Sequence, residues 1–240
     1  MTCRPASAAL FTAMLGLAVA PAQAACRQAL VFGLDVSGSV DPREYRLQVE
    51  GLAAALNHPD VRDVLFAQPS LPVRISAFEW SGPLDQHMIL PWTSIRSVAD
   101  LDRAIYRLQQ SKRASKSHST AIGAAMQFGA ALLLQQTECG RLTLDLSGDG
   151  RSNAGPRPGE VGLDAIRGIA TVNALVIGED ASTGNLPFGT HISDLSAYYL
   201  SEVIRGPGAF VEPAIGFDDF QASMLRKLLR ELKGRVIGRL

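Results

Sequence analysis

Asp35-Val36-Ser37-Gly38-Ser39 places one carboxylate and two hydroxyls at alternate positions of a short segment. Oxygen side chains spaced this way in a turn can converge on one point, and an all-oxygen donor set suits a hard cation such as Mg²⁺ or Mn²⁺. The same residue types also cap strand–helix junctions as Asx- or Ser-turns, and the stretch alone supports either use. Two further oxygen donors follow: Thr120, before an alanine-rich segment, and Asp149 within Ser147-Gly148-Asp149-Gly150. The remaining question is which elements would bring them together.

The apolar run Ala29-Leu30-Val31-Phe32-Gly33-Leu34 reads as a buried parallel strand ending at Asp35. Open α/β sheets bind ligands outside the carboxyl ends of such strands. Asp41-Pro42-Arg43-Glu44 then starts a helix, with Asp as N-cap, Pro at the first position and Glu closing a capping box. That helix is predicted over 42–58, with Tyr45, Val49, Leu52, Ala53 and Leu56 on one face, and Pro59, Pro69 and Pro72 mark a loop after it. Residues 73–80 alternate as a strand, and 86–92 form a second strand, at an edge because Pro91 cannot donate to a ladder. Ser97 caps a helix whose buried stripe is Val98, Leu101, Ile105 and Leu108.

A basic, polar loop spans 112–119, and Thr120 opens an almost wholly apolar helix to 134, which must pack deep against the sheet. Residues 141–146 form a strand, 159–170 a helix, 171–177 a strand, 194–204 a helix and 209–213 a short strand. The chain closes with an amphipathic helix over 217–233, stopped by Gly234. This alternation specifies an α/β fold: a doubly wound, mostly parallel sheet flanked by helices, with one antiparallel edge strand. No repeat or linker divides residues 25–240, which read as a single domain.

Composition narrows the function. The 23 basic and 23 acidic residues balance, so nothing points to nucleic acid or to an anionic membrane surface. Arg4, the apolar core 8–20 and Ala22-Gln23-Ala24 make residues 1–24 a secretory signal with an A-x-A cleavage site. Its core is too short to span a bilayer, so a periplasmic or secreted protein without membrane insertion after cleavage is expected. The four histidines show no metal-binding spacing, and Asp145, inside a predicted strand, has no assigned role.

Taken together, Asp35, Ser37, Ser39, Thr120 and Asp149-Gly150 resemble the metal-ion-dependent adhesion site (MIDAS) of the von Willebrand factor A (vWA) domain family. That site has Asp-x-Ser-x-Ser, a downstream Thr and then an Asp, in this order. Glu79-Trp80-Ser81-Gly82-Pro83, Thr120-Ala121-Ile122-Gly123 and Gly206-Pro207-Gly208-Ala209-Phe210 extend the likeness to an exported bacterial branch of unknown function, over nearly the whole mature chain. Two departures stand out. His118-Ser119 replace glycines before the Thr, and only Asn153 follows the Asp-Gly where several Asn are expected.

The resemblance implies a metal-dependent protein-binding domain rather than an enzyme. Ser37 and Ser39 would hold the ion through hydroxyls, Thr120 would do so in a ligand-engaged state, and Asp35 and Asp149 mostly through water. A partner protein presenting Asp or Glu would complete the shell. Lys112, Arg113 and Lys116 could steer such a ligand, but a solvated charge run is the preferred reading of that loop. In the family's sheet the strands ending at Asp35 and Asp149 are parallel neighbours. Cys26 and Cys139 precede them by nearly equal offsets, so with export the resemblance implies a Cys26–Cys139 disulfide.

Three rival readings compete with this one. A phosphate-binding loop spanning Gly33 to Gly38 fails because Ser39 stands where the Lys must be. A haloacid dehalogenase-like Mg²⁺-dependent phosphatase matches Gly148-Asp149-Gly150, but Ser37 replaces the second Asp needed as general acid. A structural vWA scaffold that has lost metal binding is the third.

Overall fold

The computed structural model describes residues 25–114, 117–162, 170–180 and 191–233. Among these, six strands form one sheet: β1 (Gln28–Asp35), β2 (Val73–Trp80), β3 (Gln86–Ile95), β4 (Leu142–Gly148), β5 (Ala170–Gly178) and β6 (Val211–Ile215). Their spatial order is β3-β2-β1-β4-β5-β6, with β3 antiparallel to β2 and every other pair parallel. The helices are α1 (Pro42–Asn57), α2 (Pro59–Phe66), α3 (Val98–Gln109), α4 (Ile122–Leu133), α5 (Ile192–Glu202) and α6 (Phe220–Lys233).

Every residue of β1 is buried, as its unbroken apolar run requires in a strand covered on both faces. Its alternating side chains feed two cores. Leu30, Phe32 and Leu34 join the core under α1, α2, α3 and α6, while Ala29 and Val31 join the core under α4 and α5. Apolar α4 accordingly buries nine of its residues. The doubly wound, mostly parallel sheet with one antiparallel edge strand is therefore the architecture found.

The capping box forms as expected: the Asp41 carboxylate accepts from the Glu44 N–H, and Glu44 accepts from the Asp41 N–H, both at 2.8 Å. Several expectations need correction. Pro59 does not sit in a loop but begins α2, where a missing N–H costs nothing and the fixed φ suits the first turn. β3 runs past Trp92 to Ile95, because at an edge Pro91 removes no required ladder bond. Val98 is exposed, and the buried face of α3 is Leu101, Ala104, Ile105 and Leu108. Residues 158–160 form a short 3₁₀ turn. Residues 161–162 are not helical and Ala170, expected to end a helix, begins β5. Residues 163–169 of that expected helix, the signal segment 1–24, Lys116 and Gly234 lie outside the described residues.

The two cysteines form the expected disulfide, with Cα atoms 4.6 Å apart and a sequence separation of 113. They also make a parallel bridge just before β1 and β4. This staple closes the rim of the sheet opposite Asp35 and Asp149.

Candidate metal centre

Asp35 ends β1 and Asp149 directly follows β4, and the two strands are adjacent and parallel, so both carboxylates emerge on one rim. Asp35 is fully buried. Its Oδ1 accepts the Ser37 N–H at 2.8 Å, which folds the turn back over the strand end. The other oxygen, Oδ2, is buried without a hydrogen-bond partner among the described residues. The Ser39 hydroxyl donates to Asp149 Oδ1 at 2.8 Å, and the Ser37 and Ser39 hydroxyls lie 3.3 Å apart. Four of the five expected donors thus form one connected cluster.

Thr120, the fifth, is buried but lies before α4 rather than within it; Ala121 caps that helix without a side-chain bond. Asn153 fixes the Thr120 backbone by accepting its N–H at 2.8 Å and donating a main-chain N–H to its carbonyl at 2.9 Å. No hydrogen bond among the described residues joins the Thr120 hydroxyl to the other four donors. The single Asn after Asp149-Gly150 therefore has a definite task, which is to hold Thr120 on the rim.

Burial and like charge dominate the electrostatics. Burial raises the Asp35 carboxyl, the nearby Asp149 carboxylate raises it further, and the Ser37 hydrogen bonds oppose both, leaving it at about 8. The Asp149 main-chain N–H also opposes the rise, although it does not reach hydrogen-bond geometry with Oδ2. Asp149 is itself raised by burial and opposed by the Ser39 hydroxyl. Tyr199, buried on α5, donates to the Gly150 carbonyl at 3.1 Å. Its phenol is pushed well up, by burial first and then by the charges of Asp35 and Asp149.

This chemistry fits a hard cation. Among the described residues no three His, Cys, Asp or Glu side chains lie together in a way that could hold a metal ion. The cluster on the rim is of another kind: two carboxylates with unfavourable mutual charge, neighbouring hydroxyls and one orphaned carboxylate oxygen. His118 makes no hydrogen bond to Ser37 or Ser39 among the described residues, so no serine–histidine dyad is assembled.

The chain belongs to the family described as "Protein of unknown function (DUF1194)", whose profile matches residues 25–236.

A search of curated proteins finds no match for this DUF1194 chain. Solved structures share its fold. One crystal form of proximal thread matrix protein 1 from the mussel byssus has a TM-score of 0.60 at 13% identity, covering 88% of this chain and 49% of that one. A structure of the same mussel protein, described as having a zinc-occupied MIDAS motif, gives 0.59 at 15% identity, covering 88% and 47%. The von Willebrand factor type A structure from Catenulispora acidiphila gives 0.58 at 13% identity, covering 86% and 43%. The DUF1194 chain spans about half, or less, of each of these proteins, and the likeness establishes a vWA-type fold.

Several supporting residues were not read from the sequence. Gln48 is fully buried on α1. Its Nε2 donates to the Asp35 carbonyl at 2.8 Å and its Oε1 accepts from the Ser147 hydroxyl at 2.9 Å, joining the two strand ends that carry the acids. The signal was present: Gln48 falls on the same helical stripe as Tyr45, Val49 and Leu52. Asp145, unplaced in the sequence, pairs at 2.7 Å with Lys227 of α6. Lys227 also donates to Glu231 at 2.6 Å, and Glu231 accepts from Asn173 of β5 at 2.6 Å. All four groups are buried. Arg113 corrects the solvated reading of the basic loop: it is half-buried and turned onto the carbonyls of the 36–40 turn.

Proposed function

We propose that this DUF1194 domain is a protein-binding module in which Asp35, Ser37, Ser39, Thr120 and Asp149 hold one divalent cation, Mg²⁺ or Mn²⁺. The observation that carries this reading is Asp35: a buried carboxylate with an orphaned oxygen, facing a second acid. Two such groups destabilise each other unless a proton or a cation stands between them. When bound, the cation would supply an open coordination position for an Asp or Glu side chain of a partner protein. The chain's own residues keep the turn compact, present the hydroxyls at the rim and fix the separation of the two acids.

Export belongs to the same reading, to the periplasm or the medium. The signal pattern over 1–24 and the Cys26–Cys139 bridge support it, since such bridges persist in oxidising compartments.

A second reading, a vWA scaffold that binds no metal, is favoured by the Ser39–Asp149 hydrogen bond, which gives the Ser39 hydroxyl and one Asp149 oxygen a partner without an ion. Calorimetric titration of the mature protein with Mn²⁺ and Mg²⁺, beside Ser39→Ala and Asp149→Ala, separates the readings. One ion per chain, lost in both variants, supports the adhesion-type site. Silence of the wild type at millimolar ion overturns it in favour of the scaffold. Binding that survives Ser39→Ala but not Asp149→Ala overturns it in favour of a carboxylate site of the phosphatase kind.

A further inference from the structure

The loop between α3 and α4 touches the Ser37–Ser39 turn from two directions. Arg113 reaches it from one. Its Nη1 donates to the Val40 carbonyl at 2.7 Å, and its Nη2 donates to the Val36 carbonyl at 2.7 Å and the Ser37 carbonyl at 3.1 Å. On the other, the Gly38 N–H donates to the His118 carbonyl at 3.3 Å. That approach is close enough that a Cβ on Gly38 would lie 2.9 Å from both Cβ and Nδ1 of His118.

Carbonyls of a turn lack the ladder partners that strand carbonyls have, and when partly buried they need donors from elsewhere. Ser37 has one from the Val40 N–H at 3.1 Å, which closes the turn on itself. Arg113 supplies the rest from a single rigid group. A guanidinium offers donors at fixed spacing in one plane, and it stays charged throughout the accessible pH range. The residues it grips enclose the hydroxyl donors: Val36 and Ser37 lie before Ser39, and Val40 follows it. Holding these carbonyls therefore fixes the backbone from which both serine hydroxyls project.

We propose that Arg113 is a positioning residue that preforms the Ser37–Ser39 turn before any cation arrives, rather than a charge that attracts ligands. The consequence for metal affinity rests on the proposed cation site. The consequence for the turn itself does not.

The test uses the mature, disulfide-bonded protein with Arg113→Met, Arg113→Lys and Arg113→Ala. Amide hydrogen exchange in the metal-free state is read at residues 36–40, with residues 29–34 of β1 as an internal reference. Arg113→Met is expected to speed exchange in the turn by about tenfold or more, leaving β1 unchanged, because its lost bonds are local. Arg113→Lys restores protection only in part, since an ammonium cannot span three carbonyls. Millimolar ethylguanidinium added to Arg113→Ala restores it more fully. In calorimetry, Mn²⁺ affinity falls about 10- to 100-fold in Arg113→Met, the range typical when a group that orients metal ligands is removed.

Unchanged exchange over 36–40 in Arg113→Met overturns the proposal, as does Arg113→Lys matching the wild type. Should the wild type bind no Mn²⁺, the cation reading fails while the exchange measurement still decides the role of Arg113. If Arg113→Met does not fold, Arg113→Lys carries the decision: partial protection upholds the brace and full protection overturns it.

Discussion

Gln48 donates its side-chain amide to the main-chain carbonyl of Asp35 at 2.8 Å while accepting the Ser147 hydroxyl at 2.9 Å. One buried amide thus sets the spacing between the end of β1 and the end of β4. Gln48→Leu removes the side-chain donor to the buried Asp35 carbonyl and leaves the Ser147 hydroxyl only its long 3.4 Å bond to the Gly33 carbonyl, and it is expected to cost about 1–3 kcal/mol. Urea unfolding of the two proteins side by side checks this. Equal midpoints would mean that water replaces the amide at no cost.

Lys227 lies between two carboxylates, Asp145 at 2.7 Å and Glu231 at 2.6 Å, with no exposure to solvent. Lys227→Met leaves two buried acids without their cation and is expected to destabilise by about 3–5 kcal/mol. Adding Asp145→Leu and Glu231→Gln removes the excess charge while keeping an acceptor for Asn173, and should recover most of that loss. A triple variant no more stable than Lys227→Met would refute a charge-based account of this cluster.

Burial lifts the Asp145 carboxyl from 3.8 to about 7; Glu231 adds to the rise, and Lys227 opposes it. A raised folded-state value means that the folded protein holds a proton the unfolded chain releases. The resulting stability is complete below about pH 4 and is lost as pH rises through about 7. Denaturation free energies measured across this window, without divalent ions, should fall with pH. Asp145→Asn should reduce the slope, and an undiminished slope would place the titrating group elsewhere. Asp35 contributes a slope of the same sign, so the reduction is partial.

The Cys26–Cys139 bridge closes a loop with a sequence separation of 113. Reduction, or Cys26→Ala with Cys139→Ala, is expected to lower stability by about 2–5 kcal/mol, mostly by freeing the unfolded chain. Thermal melts with and without reductant provide the measurement. Two titratable thiols in the non-reduced mature protein would show that the bridge does not form in solution.

The sequence alone determined the sheet, the order of its elements and the rim that carries the candidate site. Those features rest on local patterns: the apolar run before Asp35, the Asp41–Glu44 capping box, and small oxygen donors repeated at strand ends. Proline misled the reading at Pro59, because the same ring that ends one helix can begin the next. What tertiary structure decided was the use of polar residues inside the protein. Thr143, Asp145 and Ser147 alternate along β4, and their partners Gln28, Lys227 and Gln48 come from positions far away in sequence. Arg113 looked like a solvated charge until folding set it against Val36, Ser37 and Val40. A buried polar group must find a partner, and periodicity shows only that it is buried; which partner it finds depends on which strands and helices become neighbours.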